Sequence, residues 1–217
     1  IAPMQTSPKT AVLPCGFLHC PTLPVASNDG TIQINSVGNA EIVFQYPGDS
    51  CSLGYDYSDF SARALRDAGG SVQLFFSSGG SAVYRNMGGS LDTTHRICET
   101  VMQSVNSNDY DLLQDHEWLG SPYTPDGEHI YALVHNEWRE PEIFNPSCSP
   151  GQSWVNSITL VSSDDRGAHY AHPADYKIRV PSVSWNTAFP CSVATTTIYG
   201  SFEPSNIVQK DTYYYAF

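Results

Sequence analysis

Three acidic residues, Asp59, Glu117 and Glu203, occupy the same place in three stretches of similar layout. Each opens a segment in which a short apolar stretch follows, then a tight turn containing Asp67, Asp126 or Asp211, then an aromatic or β-branched strand. Carboxylates gathered at one point could share general acid–base work, one giving a proton while another takes one. The intervals of 58 and 86 residues place them far apart in sequence, and the longer one contains an insertion expected between Cys148 and Cys191. A repeat of roughly 40 to 60 residues that opens strand–turn–strand has the size of a four-stranded propeller blade. Blades stack radially, so equivalent residues of the innermost strands point to one axial spot and the three acids would converge there. Acids ahead of turns also cap loops with no catalytic role, and any one of the three alone reads more readily that way.

The elements that must position these residues are strands. Helical periodicity is scarce, and Ala62–Asp67, the one stretch that could form a short helix, reads equally well as the lead into a strand. Strands are expected over Thr31–Ile34, Glu41–Tyr46, Val72–Ser77, Ala82–Arg85, His129–His135, Ser157–Val161, Thr195–Tyr199 and Thr212–Phe217. Between them stand turn signals: Asn28-Asp29-Gly30, Gly69-Gly70, Gly79-Gly80, Asp126-Gly127 and Asp164-Asp165-Arg166-Gly167. Residues 145–154 and much of 168–190 read as loop. The fold class is all-β, with residues 1–50 as an N-terminal extension contributing closing strands and 51–217 as blades one, two and the start of three.

Composition limits the function classes. The 217 residues carry 22 acidic and 10 basic side chains, a formal net charge of −12, with 12% aromatics and only 15% charged residues. So acidic a surface repels phosphate backbones and excludes nucleic acid as a partner. No apolar run is long enough to span a membrane as a helix. The six cysteines, Cys15, Cys20, Cys51, Cys98, Cys148 and Cys191, read as disulfides of an oxidising compartment, hence a secreted, extracellular protein, expected either to have lost a signal ahead of Ile1 or to be otherwise trimmed there. Among fifteen pairings we favour Cys15–Cys20, Cys51–Cys98 and Cys148–Cys191, each closing a loop in its own stretch of chain. Cys15, His19 and Cys20 lack the second ligand pair of a zinc site, and His169 with His172 lacks a third partner, so no metal is assigned. Asp164–Gly167 departs from calcium-loop spacing and reads as a turn. No cofactor is expected, though a structural calcium on the axis is left open.

These segments resemble five-bladed propeller glycosidases such as glycoside hydrolase family 43. Residues 203–217, with an acid, an apolar pair, a polar turn and a Tyr-rich strand, resemble that family's third-blade motif; 70–85 resemble its first blade and 123–134 its second. The resemblance covers about 57–217. It implies Asp59 as general base, Glu203 as general acid, and Glu117 or Asp115 as the carboxylate that orients the acid. It also implies carbohydrate as the partner and an inverting mechanism, with the two working carboxyls about 6.5–9.5 Å apart. Where the family usually has Pro after its acids, Asp59 precedes Phe60 and neither Asp115 nor Glu117 precedes Pro. A sugar-binding or surface-structural propeller without turnover therefore fits as well, and a β-sandwich adhesion module is the remaining alternative.

Around the acids, Trp118, Trp138 and Tyr123 are candidate platforms for a sugar ring, or else packing between blades. The polar strand end His135-Asn136-Glu137-Trp138-Arg139-Glu140 suggests a cleft-facing set with His135 as a hydrogen-bond donor to substrate or a contributor to a metal site, and surface-loop polarity explains it equally well. Arg63 and Arg85 could reach the central acids. A five-bladed ring requires more strands than these segments supply, so the remaining blades are expected from the rest of a longer polypeptide or from another chain.

Overall fold

The computed structural model describes residues 40–54, 56–76, 82–107, 109–139, 155–179, 199–200 and 203–217. The chain divides into two compact units, Ile1–Ile42 and Val43–Phe217, and the architecture below is that of the second. The strands expected over Thr31–Ile34 and the pairs Cys15–Cys20 and Cys148–Cys191 lie outside the described residues.

Every named element of the second unit is a strand, apart from two short 3-10 turns at Leu91–Thr93 and Tyr110–Leu112. Four strands, β1 (Arg63–Arg66), β2 (Val72–Phe75), β3 (Ala82–Gly88) and β4 (His95–Gln103), form an antiparallel meander. A second meander follows: β5 (Glu117–Tyr123), β6 (Ile130–Trp138), β7 (Val155–Ser163) and β8 (Lys177–Arg179). The short β9 (Tyr199–Gly200) runs parallel beside β7. A hairpin of β10 (Val208–Lys210) and β11 (Tyr213–Tyr215) closes the described chain. All-β is thus the observed class.

Sequence explains most of this. Strands β2, β6 and β7 are rich in Val, Ile and Leu, β2 and β6 begin after the turns signalled by Gly69-Gly70 and Asp126-Gly127, and β7 ends at the turn of residues 164–167. Asp126 caps its turn, accepting the backbone N–H groups of Glu128 and His129 at 2.8 Å each, and Asp67 accepts that of Ser71 at 2.9 Å. Two of the repeat's three turn acids, Asp67 and Asp126, therefore hold backbone. Two expectations change. Ala62–Asp67 is not helical: Arg63–Arg66 is a strand whose side chains alternate in burial. Glu41–Tyr46 forms no strand and leads into a turn at residues 46–49, where Pro47 lacks the N–H a sheet ladder needs.

The core lies between the two meanders. Phe75, Val83, Val101 and Met102 of the first meet Leu119, Ile130, Ala132, Val134 and Val161 of the second, with Tyr170 inserted from the loop after β7. Each such buried side chain contributes about 1.5–3 kcal/mol by leaving water. The Tyr170 backbone N–H donates to Val101 O at 2.8 Å, stitching that loop to β4. At the seam's edge Gln73 donates to Asp67 and to Arg166 O, while Arg85 donates to Gln73, all within 2.8 Å. Gly127 makes close approach possible there: its φ is +81°, and a Cβ would fall 2.4 Å from Ala68 N.

Candidate functional site

The segment before β1 is held at two points. Upstream, Asp56 is buried and accepts the Cys51 N–H at 2.8 Å and Arg96 Nε at 3.1 Å. The Arg96 guanidinium in turn lies 4.9 and 4.6 Å from the ring centres of Phe44 and Phe76. The expected Cys51–Cys98 disulfide is present and ties the same stretch to β4. Downstream, Phe60 is buried against β5 and β6: its ring centre is 6.2 Å from that of His135, and it lies directly over Gly120. Asp59 stands between these anchors, exposed, without an ion pair among the described residues.

Glu203 arrives from the far end of the chain. Ser61 Oγ donates to Glu203 Oε2 at 3.5 Å, and Ser121 Oγ donates to the carbonyl of the buried Pro204 at 3.0 Å. The hairpin that follows is fastened by Tyr123, whose hydroxyl donates to Gln209 Oε1 at 2.6 Å and whose ring packs edge-on against Tyr214. Segments 59–61, 120–123 and 203–209 therefore meet where β1 lies beside β5, and the structure brings Glu203 to Ser61, two residues after Asp59. Arg63 stays apart from both acids, donating to Ala62 O at 3.2 Å.

Beyond Phe60 lies a largely buried cluster of aromatic and charged side chains. Trp118 and His135 are cross-strand partners with ring centres 5.2 Å apart, and Arg139 lies 5.5 Å over Trp118. His135 and Glu137 alternate along β6 and so share one face, and Arg139 follows the strand's last residue. His135 Nε2 is 3.2 Å from Glu137 Oε1, and Arg139 Nε donates to Glu137 Oε2 at 2.8 Å. Burial pushes the Glu137 carboxyl upward, but the bond from His135 and the Arg139 charge outweigh it and leave Glu137 below its ordinary value.

Glu117 and Asp115 have other partners. Strand alternation turns Glu117 to the face opposite Trp118, where its buried carboxylate pairs with His172 Nε2 at 2.7 Å. Burial lowers the His172 pKa, but the Glu117 hydrogen bond and charge override it and raise His172 above its usual value. Asp115, also buried, binds His116 Nδ1 and the Arg139 backbone N–H at 2.8 Å each and so braces the end of β6. Trp138 is fully buried with Tyr110 edge-on at 4.9 Å, in a packing position. His169 pairs with Asp165 while His172 pairs with Glu117, and no group of three metal-ligating side chains occurs among the described residues.

Sequence reasoning missed Phe60, Ser61 and His172. Nothing local distinguishes Phe60 from any apolar residue before a strand, and His172 meets Glu117 only through the fold. Glu137 and Arg139 were visible as part of the polar strand end at residues 135–140.

No known protein family matches the chain, and no curated protein or solved structure proves similar to it. No helix among the described residues is long and apolar enough to cross a membrane.

Proposed function

We propose that the chain forms part of a secreted five-bladed β-propeller of the glycosidase type, resembling glycoside hydrolase family 43, which binds or cleaves a polysaccharide. In this reading the two meanders are blades one and two, with β1 and β5 innermost, and the β10–β11 hairpin opens blade three. The ring so proposed requires further strands, from the same polypeptide or a second chain. The observation that carries the reading is the approach of Glu203 to Ser61, across 142 residues of sequence, two residues from Asp59. Asp59 serves as the base that activates water and Glu203 as the acid that protonates the leaving oxygen, giving inversion. Trp118 and His135 are buried against one another and so support this place from within rather than facing the sugar, and the disulfide fits an oxidising, extracellular setting.

One observation favours the non-catalytic form of this reading. A general acid needs a carboxyl kept protonated by burial or by a nearby negative charge. Glu203 is exposed, and Glu117 is committed to His172. Assay against a panel of aryl glycosides decides between the forms. Hydrolysis by the parent, lost in both Asp59→Asn and Glu203→Gln, establishes the enzyme. Oligosaccharide binding without turnover establishes the binding protein, and neither binding nor turnover overturns the proposal.

A further inference from the structure

The second meander is apolar on both faces. Along β6, Ile130, Ala132 and Val134 belong to the core, so Tyr131 and Leu133 between them lie on the other side of the sheet. There Tyr131 is the cross-strand partner of Tyr123 on β5, and Leu133 that of Leu160 on β7. A strand apolar on both sides needs cover on both. The β10–β11 hairpin supplies only part of it: Leu133 is buried, while Tyr131 and Ile178 remain 42 and 53% exposed.

The hairpin is fixed in place without lying flat on the sheet. Ser121 Oγ donates to the Pro204 carbonyl at 3.0 Å, and the Tyr123 hydroxyl donates to Gln209 Oε1 at 2.6 Å. Ser205 and Phe217 close the hairpin's base through two bonds of 2.8 Å. Beside these tethers a cavity of about 650 Å³ opens, with Tyr131, Leu133, Leu160 and Ile178 on the sheet side and Ile207 and Tyr214 on the hairpin side. That volume lies within the range of sites that take small molecules. The exposure of Tyr131, Ile178 and Tyr214 leaves it open to a ligand arriving from water. No lining side chain is charged, although the chain carries a net charge of −12, and tyrosine hydroxyls are the only polar atoms among those side chains.

We propose that this cavity, set between the outer face of the second meander and the hairpin, binds a neutral, ring-bearing apolar small molecule. The inference is independent of the carbohydrate reading. A sugar carries hydroxyls all around its ring, and Leu133, Leu160, Ile178 and Ile207 offer nothing to pair with them, so those groups would lose water without replacement. A charged ligand would meet no opposite charge in the lining. A flat aromatic or fused-ring molecule suits these walls. Its faces pack on the aliphatic side chains and the tyrosine rings, while a single hydroxyl or carbonyl on it pairs with a tyrosine hydroxyl.

Fluorescence titration of the full chain with phenylnaphthylamine, a neutral aromatic probe that brightens in apolar surroundings, tests this. Anilinonaphthalene sulfonate, which carries nearly the same rings with a negative charge, runs beside it. The neutral probe is expected to saturate at one molecule per chain and the sulfonate to bind at least about tenfold more weakly, since its charge enters an uncharged lining. Ile178→Asp and Tyr131→Asp, each placing a carboxylate on the sheet side, are expected to weaken the neutral probe by about tenfold or more. Leu91→Asp, on an exposed turn of the first meander, is expected to leave it unchanged. Methyl NMR of the wild-type chain locates the probe without reliance on any variant: the signals of Leu133, Leu160, Ile178 and Ile207 are expected to move. Absence of saturable binding, equal affinity for the two probes, or binding that moves none of these methyls overturns the proposal. So does a chain that pairs with a second copy through this face, seen as a doubled mass in sedimentation with the same methyls shifting on dilution alone.

Discussion

Phe60 lies so close over Gly120 that a Cβ at position 120 would fall 2.4 Å from its Cε1 atom. Glycine at 120 is therefore what lets the segment carrying Asp59 settle against β5. Gly120→Ala must displace the ring, at a cost of about 1–3 kcal/mol for overpacking. In a Phe60→Ala background the clash partner is gone, so the same substitution is expected to be nearly neutral. Denaturant unfolding of the four proteins measures the coupling; equal costs of Gly120→Ala in both backgrounds would contradict the contact.

The pair of Glu117 and His172 makes stability depend on pH. Because the His172 pKa is raised in the folded state, its contribution is fully present below the ordinary histidine value and is lost as pH rises through the elevated one. Glu117→Gln is expected to remove that slope and to lower stability by about 2 kcal/mol on the acid side, the worth of a charge-assisted bond. Unfolding free energies measured from weakly acidic to alkaline pH check both effects. A slope unchanged in the variant would assign it to another histidine.

How much of this was legible from sequence varies by element. Strands β2, β6 and β7 could be read because apolar β-branched runs were bordered by Gly- and Asp-bearing turns. Strand β4, His-Arg-Ile-Cys-Glu-Thr-Val-Met-Gln, could not, since most of its residues stay out of the core and no alternation marks it. Glu41–Tyr46 looked like a strand by composition, but an apolar run becomes a strand only where a neighbour supplies its backbone partners. At the site, the layout shared by Asp59, Glu117 and Glu203 was visible. The partner that takes up Glu117 was not, because His172 lies 55 residues away and joins it only in the fold.

The disulfide between Cys51 and Cys98 spans 47 residues. Closing a loop of that length restrains the unfolded chain by about 4 kcal/mol on the chain-entropy relation. Cys51→Ala with Cys98→Ala is expected to lower unfolding free energy by an amount of that order. It should also loosen the segment from Cys51 to Asp59, read as faster amide exchange there. Unchanged exchange would show that Asp56 and Arg96 hold the segment unaided.

Whether Asp59 and Glu203 share one site, as proposed, is tested most directly by nitroxide labels on Asp59→Cys and Glu203→Cys, read by continuous-wave electron paramagnetic resonance. If the two positions face one another across a sugar-sized gap of about 6.5–9.5 Å between their carboxyl groups, the doubly labelled protein shows strong dipolar broadening that neither singly labelled protein shows. A doubly labelled spectrum equal to the sum of the single ones would place the two acids apart and contradict the shared site.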